Sequence, residues 1–334
     1  MSSITIIISA YNASKTIERC VNSLLKQDIG VDYKILIFND GSTDTTWDVL
    51  QKYKDNYYVQ LINKKNSGAS ETRNQGLDLV DSEYVTFVDS DDYVDSNYLK
   101  VLLSQYQKNS NIDLAICGYQ KELPDGTTLM VGTGSNTILN RKQALHDILI
   151  SYGFEGYLVN KLFKFSIIKE HGLRFDKNLR ISEDLLFCIE YLMYCQKVSY
   201  DPTTVYHYIR YENSQLHSNQ IGAKYTGNGL NALSTFDRLN EVVPMNYSDY
   251  HQEVNARICW IAVTQLRAIE AAPNRKKVDK NTYRMLRELA LKYRSDFMKN
   301  TVLPKRDKII YWINWFFPRT LGFLWRKLKL QDHS

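Results

Sequence analysis

Along the N-terminal part of the chain, short apolar runs recur and each stops on polar residues. Ile4-Thr5-Ile6-Ile7-Ile8 leads into Ser9-Ala10-Tyr11-Asn12, and Tyr33 to Phe38 into Asn39-Asp40-Gly41-Ser42-Thr43-Asp44. Val59 to Ile62 leads into Asn63-Lys64-Lys65-Asn66-Ser67-Gly68-Ala69-Ser70, and Tyr84-Val85-Thr86-Phe87-Val88 stops on Asp89-Ser90-Asp91-Asp92. Runs this short, rich in β-branched and aromatic residues, predict buried strands. Between them, Ile17, Val21, Leu24 and Leu25 keep helical spacing. Further helical pieces carry Trp47 and Leu50, then Arg73, Gly76, Leu77 and Val80. This alternation predicts an α/β fold, a Rossmann-like and mostly parallel sheet flanked by helices.

The pattern continues with a helix over 97–108, a strand over 112–119 and a turn at Pro124-Asp125-Gly126-Thr127 between two β-prone stretches. Val159-Asn160-Lys161-Leu162-Phe163-Lys164 precedes a short helix. Glu183 and Asp184 open another, and Pro202 to Tyr208 reads as a last strand. Beyond about residue 216 the periodicity is helical, over roughly 224–240, 250–271 and 281–299, with Trp260, Leu266, Met285 and Leu289 assigned to the core. The expected organisation is an α/β domain over 1–215, with halves of about 1–110 and 111–215, a helical accessory domain over 216–303 and a distinct tail over 304–334.

Charge sharpens the reading of the tail. Residues 304–334 hold seven basic and two acidic residues, a net +5 equal to that of the whole chain, so the preceding residues sum to zero. That excludes a nucleic-acid surface spread over the main body. The tail also carries Ile309-Ile310-Tyr311-Trp312-Ile313 and Trp315-Phe316-Phe317, interrupted by Asn314, Pro318 and Arg319. Such a run is too broken to span a bilayer but suits a helix lying in the headgroup region of an anionic leaflet; a buried helix or a contact within a homo-oligomer is the alternative. Five scattered cysteines without CxxC spacing indicate neither a disulfide framework nor a zinc site and suit a reducing cytoplasm. The N-terminus has no basic region and too short an apolar run for a signal peptide.

Chemistry concentrates at the strand ends. Asp89 and Asp91, two residues apart, repel each other, and Mg²⁺ or Mn²⁺ is the natural partner for such oxygen ligands beside phosphates. Alternatively, these acids form a turn and cap the following helix. Ser67-Gly68-Ala69-Ser70 at a helix start, with Arg73 one turn in, suits an anion; an ordinary loop with Arg73 in a structural salt bridge is the other reading.

Taken together, Ser9-Ala10-Tyr11-Asn12, Asn39-Asp40-Gly41-Ser42-Thr43-Asp44, Gly68-Ala69-Ser70 followed by Thr72-Arg73-Asn74-Gln75-Gly76-Leu77, and the run into Asp89-Ser90-Asp91-Asp92 resemble family 2 glycosyltransferases of the bacterial surface-polysaccharide type. The resemblance implies a GT-A fold followed here by a C-terminal helical region. It also implies inverting transfer of a sugar from a nucleotide diphosphate donor, commonly a UDP-sugar, with a divalent cation, onto a saccharide or lipid-linked saccharide acceptor. Carried over by position, Ala10, Tyr11 and Asn12 line the donor, Tyr11 packs on the base, Asp40 hydrogen-bonds it, and Gly68, Arg73, Asp89 and Ser90 serve the diphosphate. Asp91 contacts the metal with Asp89 beside it. Glu183-Asp184-x-x-Phe187 resembles the family's catalytic-base motif, with Asp184 as base and Ser182 where Gly is common. Asn39 stands where Asp is usual. Tyr206-His207-Tyr208, with Arg210, Asn213 and Ser214 beyond, resembles the segment that closes the donor site, and His207 is a further candidate for metal or phosphate. Lys161, in a segment like the family's Asn-Lys-Leu-aromatic stretch, either meets phosphate or is solvated. A sugar-nucleotide nucleotidyltransferase and a non-catalytic scaffold binding nucleotide sugars or membrane are the competing functions; the first would want a Gly-rich basic loop directly after the first strand, which Ser9 to Asn12 is not.

Overall fold

The first apolar run folds as β1 (Ile4–Ala10), followed by α1 (Ile17–Leu24), β2 (Tyr33–Asp40), α2 (Thr46–Leu50), β3 (Val59–Lys64), α3 (Ala69–Asp78), β4 (Tyr84–Asp89), β5 (Tyr93–Val94) and α4 (Tyr98–Lys108). This computed structural model describes residues 3–132, 134–150, 153–179, 181–211, 224–303, 305–320 and 322–323. The chain divides into two compact units, residues 1–211 and 212–334.

In the first unit β1 pairs in parallel with β2 and with β4, and β2 with β3. The register sets Ala10 opposite Asn39 and Ser9 opposite Asp89, so the polar stops of three strands share one carboxyl edge. Ligands bind at that edge in open α/β sheets. The edge is rigid because β1 is buried along nearly its whole length and α1 packs Ile17, Cys20, Val21 and Leu24 into the same core.

The unit continues with β6 (Leu114–Glu122), β7 (Thr128–Val131), β8 (Thr137–Asn140), α5 (Arg141–Asp147), β9 (Lys161–Lys164), α6 (Phe165–Glu170), α7 (Glu183–Leu192) and β10 (Lys197–Ile209). One mixed sheet runs β3-β2-β1-β4-β9-β6-β10-β5, with β7 on β6 and β8 on β10. Its first four strands are parallel. β9 then lies antiparallel between β4 and β6, while β6 and β10 pair in parallel. Residues 161–164, expected only to precede a helix, thus form a strand of their own. β10 also starts well before Pro202, where register shifts around Asp201 and Thr204 accommodate the missing N–H.

The second unit contains α8 (Asn231–Val242), α9 (Ser248–Ala271), α10 (Lys280–Lys292), α11 (Arg294–Lys299) and α12 (Lys305–Phe316). Leu266 is buried as expected, but Met285 is 41% exposed while its neighbour Leu286 is fully buried, so the inward face of α10 is rotated by one residue from the expected one. Among the described residues no helix is long and apolar enough to cross a membrane.

Candidate active site at the sheet edge

At the end of β2, Asp40 is 2% exposed, and its carboxylate is built into the next loop. It accepts from the backbone N–H groups of Ser67 and Gly68, both at 2.9 Å, and pairs with Lys64, its register partner on β3. Lys64 also donates to Ser67 Oγ at 2.5 Å and Thr72 Oγ1 at 3.2 Å. A carboxylate offers about four lone-pair sites, so these contacts leave roughly one for a ligand N–H. Gly41, at φ +68°, allows the loops to meet, since a Cβ there would lie 2.5 Å from the Asn66 backbone nitrogen. Gly68, at φ 87°, caps the start of α3. Asn12, itself at φ 52°, joins the first loop to the second by accepting from Thr43 N–H at 2.8 Å. Above this frame Tyr11 is 50% exposed, an aromatic face open to solvent, whereas Ala10 is fully buried and contributes backbone only.

From α3, Arg73 reaches in two directions. Its Nη2 donates to Asp89 Oδ1 at 3.3 Å and its Nη1 to Glu183 Oε1 at 2.9 Å, with the guanidinium 5.6 Å from the Phe175 ring centroid. One largely buried cation therefore ties the end of β4 to the start of α7, the latter 110 residues from Arg73 in sequence. Next to it, burial and then the charge of Asp89 raise Asp91 to about 6. Arg19 holds the Asp91 carbonyl at 2.6 Å. Asp92 is not free for ligands. It is 1% exposed and accepts from Tyr206 Oη at 2.6 Å and the Ile209 N–H at 2.8 Å, which locks the acidic turn onto β10. Ser90 sits half-buried between Asp89 and Asp91. The donor set left over, an exposed Asp91 carboxylate that the neighbouring Asp89 charge makes costlier to ionise and the oxygen of Asp89 not held by Arg73, fits a hard divalent cation such as Mg²⁺ or Mn²⁺.

Asp184 occupies the first turn of α7 beside Glu183 and keeps partial solvent access. Burial first and Glu183 second push its pKa up to about 7, against the lowering influence of Arg73 and of the Leu185 N–H that it accepts at 2.8 Å. A carboxylate poised there takes a proton at neutral pH more readily than an ordinary one. Ser182, where the resembled motif has Gly, adopts the left-handed φ of 60°. This explains why Gly is common at the position and costs a non-glycine residue about 1–2 kcal/mol. Arg180, Asn213 and Ser214 lie outside the described residues.

Two expectations require correction. His207 is no ready metal ligand: its Nδ1 meets Glu122 at 2.8 Å and Gln120 at 2.6 Å, its Nε2 meets Asp95 at 3.1 Å, and its ring stacks on Tyr93. Both nitrogens are engaged, Nδ1 in fastening β10 to β6 and Nε2 in fastening it to Asp95 just after β5. Lys161 neither meets phosphate nor is solvated. It is fully buried, and its ammonium donates to the carbonyls of Glu155 at 2.8 Å and Tyr157 at 2.6 Å and to Asn160 Oδ1 at 2.9 Å. Burial lowers its pKa. Lys64, which fixes Asp40, and Glu183, which fixes Arg73, are the contributors that motif reasoning passed over. The first could be found from strand register, whereas the second had no local signal.

The profile of Glycosyl transferase family 2 matches residues 5–171. The poly(ribitol-phosphate) beta-N-acetylglucosaminyltransferase TarP of Staphylococcus aureus (strain N315) is 31% identical over 74% of this chain and 73% of its own length. EpsJ of Bacillus subtilis (strain 168), an uncharacterised glycosyltransferase, is 28% identical over 63% of this chain. The match spans 62% of EpsJ and 63% of EpsH from the same strain, less than two thirds of either. Among solved structures, S. aureus TarS residues 1–349 in complex with UDP superposes with a TM-score of 0.64 at 16% identity, covering 99% of this chain and 93% of that one. This likeness shows the GT-A-like fold. The chain belongs to glycosyl transferase family 2.

Proposed function

We propose that this enzyme transfers a sugar, with inversion, from a UDP-sugar to a saccharide or lipid-linked saccharide acceptor in cell-surface polysaccharide synthesis at the cytoplasmic side of the membrane. The observation that carries the reading is the Arg73 bridge: it joins the acids of the donor edge to the helix that presents Asp184, so one guanidinium holds both halves of a two-substrate site. The names of relatives support the substrate class, TarP being a poly(ribitol-phosphate) N-acetylglucosaminyltransferase. TarS was solved with UDP and, separately, with UDP-GlcNAc, and a Pyrobaculum calidifontis mannosyltransferase of the same fold with GDP-Man and Mn²⁺.

In this reading Tyr11 packs on the base, Asp40 accepts an N–H from it, and the backbone of Ala10 and Asn12 shapes that subsite. Gly68, at the start of α3, and Ser90 border the diphosphate. Asp91 and Asp89 would hold the divalent cation, which when bound neutralises charge on the leaving diphosphate. Arg73 aligns the acids and adds positive charge beside them. Asp184 takes the proton from the attacking acceptor hydroxyl as the bond to the anomeric carbon forms. The hydroxyl oxygen gains that carbon, the donor oxygen leaves with the diphosphate on the opposite face, and the proton ends on Asp184.

The test is to incubate the protein with UDP-, GDP- and TDP-sugars, an extracted lipid acceptor and Mn²⁺ or Mg²⁺, and to measure nucleotide release. Release of UDP that needs both acceptor and metal is expected. Pyrophosphate release would indicate nucleotidyl transfer instead, and absence of any turnover alongside intact donor binding would indicate a scaffold.

A further inference from the structure

Helix α12 presents two faces, one packed inward and one largely exposed. Ile310, Tyr311 and Asn314 point inward and are buried, with Tyr311 Oη donating to the Ala290 carbonyl at 3.2 Å and Asn314 to that of Val263 at 3.4 Å. On the other side Ile309, Trp312, Ile313, Phe316 and Phe317 are 62%, 40%, 36%, 65% and 64% exposed. Their spacing of i, i+3, i+4, i+7 and i+8 makes one continuous apolar stripe about 12 Å long, at 1.5 Å per residue. Isolated exposed apolar residues are ordinary; a contiguous aromatic and aliphatic stripe is not.

The stripe lies in a strongly cationic setting. Residues 275–334 contain sixteen Lys and Arg against five Asp and Glu, a local excess of eleven positive charges in a chain whose total is +5, so residues 1–274 are net negative. Several of these cations stand beside the aromatics: Arg294 lies 5.8 Å from the Trp312 ring centroid and Arg287 lies 4.3 Å from that of Trp315. Next to Trp315 a pocket of about 410 Å³ is lined by Lys280, Arg284 and Arg287 with one acid, Glu288, among them, a net positive lining large enough for a phosphate-bearing headgroup. Lys308 is excluded from this role, because its ammonium is spent on the Met298 and Asn300 carbonyls.

From this we infer that the outer face of α12 docks on an anionic lipid surface, with the stripe entering the acyl boundary and the surrounding arginines meeting lipid phosphates. Charge complementarity and the composition of the stripe choose this occupant. A soluble polyanion would be met by the cations alone and leaves two isoleucines and two phenylalanines unexplained, whereas an interfacial helix needs both. The inference stands independently of the glycosyl-transfer reading, since it uses no residue of the sheet edge.

The experiment is flotation of the full-length chain with phosphatidylcholine vesicles and with vesicles containing phosphatidylglycerol, at low and high salt, repeated with the triple variant Trp312→Ser, Phe316→Ser, Phe317→Ser. Circular dichroism and size-exclusion chromatography of both forms accompany it. Expected are binding that requires phosphatidylglycerol, loss of that binding in high salt, and a drop of about tenfold or more in the folded triple variant. Equal binding by the variant, or no binding of the wild type to either vesicle, would overturn the proposal. So would a wild-type oligomer that the triple variant converts to monomer without any vesicle binding, which would assign the stripe to a second copy of the chain. A polyphosphate probe that binds the wild type and the variant equally, with vesicles ignored, would assign the cations to a polyanion.

Discussion

Replacing Arg73 by Met keeps the aliphatic stem and removes the guanidinium that binds Asp89 at 3.3 Å and Glu183 at 2.9 Å. Breaking a fully buried pair costs about 3–5 kcal/mol, because a charge is left without its partner. Asp89 is 38% and Glu183 17% exposed, so water screens part of the loss and a cost of about 2–3 kcal/mol is expected. For a unit of about two hundred residues, each kcal/mol moves the midpoint by about 2–4 °C, which puts the fall in Tm of the first unit near 5–10 °C. The loss depends on pH, and its sign follows from Asp184. Its folded pKa is raised from 3.8 to about 7, so its contribution to stability is greatest below the lower value and is lost as pH rises through the upper one. Removing Arg73, which lowers that pKa, deepens the loss at high pH. Differential scanning fluorimetry at pH 8 and pH 5 should therefore show a larger Tm gap between wild type and Arg73→Met at pH 8. Equal gaps at both pH values, or a gap below about 1 °C, would refute the idea that Arg73 holds these carboxylates together.

Other perturbations test the frame. Lys161→Met strands two backbone carbonyls and Asn160 Oδ1 without their ammonium donor, and urea unfolding should show a loss of about 2–4 kcal/mol; a loss below about 1 kcal/mol would mean that water replaces the lysine. Gly41→Ala places a methyl group 2.5 Å from the Asn66 nitrogen at a φ of +68°, so about 1–3 kcal/mol of stability should be lost, and UDP affinity measured by calorimetry should weaken because the loop that shares Asp40 must shift. His207→Gln removes the link between Asp95 and Glu122, and it should lower Tm while leaving the metal requirement for UDP binding intact; loss of that requirement would return His207 to the metal site.

The parts of the fold that could be read from sequence are those where one residue type serves two ends. β1, β2 and β4 are runs of β-branched and aromatic residues that must be buried, and the polar residues following them must not be, so burial alone fixes both the strands and the edge at which Asp40, Asp89 and Asp91 emerge. The opening of α7 was legible because acids such as Glu183 and Asp184 favour a helix start. What escaped was set by contacts between distant segments. Lys161 looks like any surface lysine until β9 inserts it between β4 and β6, where loop carbonyls replace water. His207 looked available because its partners Glu122 and Asp95 lie on other elements. Met285 and Leu286 differ by one position on a helix with apolar residues on several sides, and which of them faces α9 is decided by packing. The Arg73–Glu183 bridge spans 110 residues and has no signature in either segment.

The central claim is that the donor edge and Asp184 serve one reaction, and the pH–rate profile of Asp184→Asn tests it most directly. With UDP-sugar, acceptor and metal at saturation, the account predicts a fall in kcat of about 10²–10⁴-fold and the disappearance of the acid limb centred near pH 7, while the Kd for UDP stays within about twofold of wild type. Near wild-type turnover with the limb intact would contradict it.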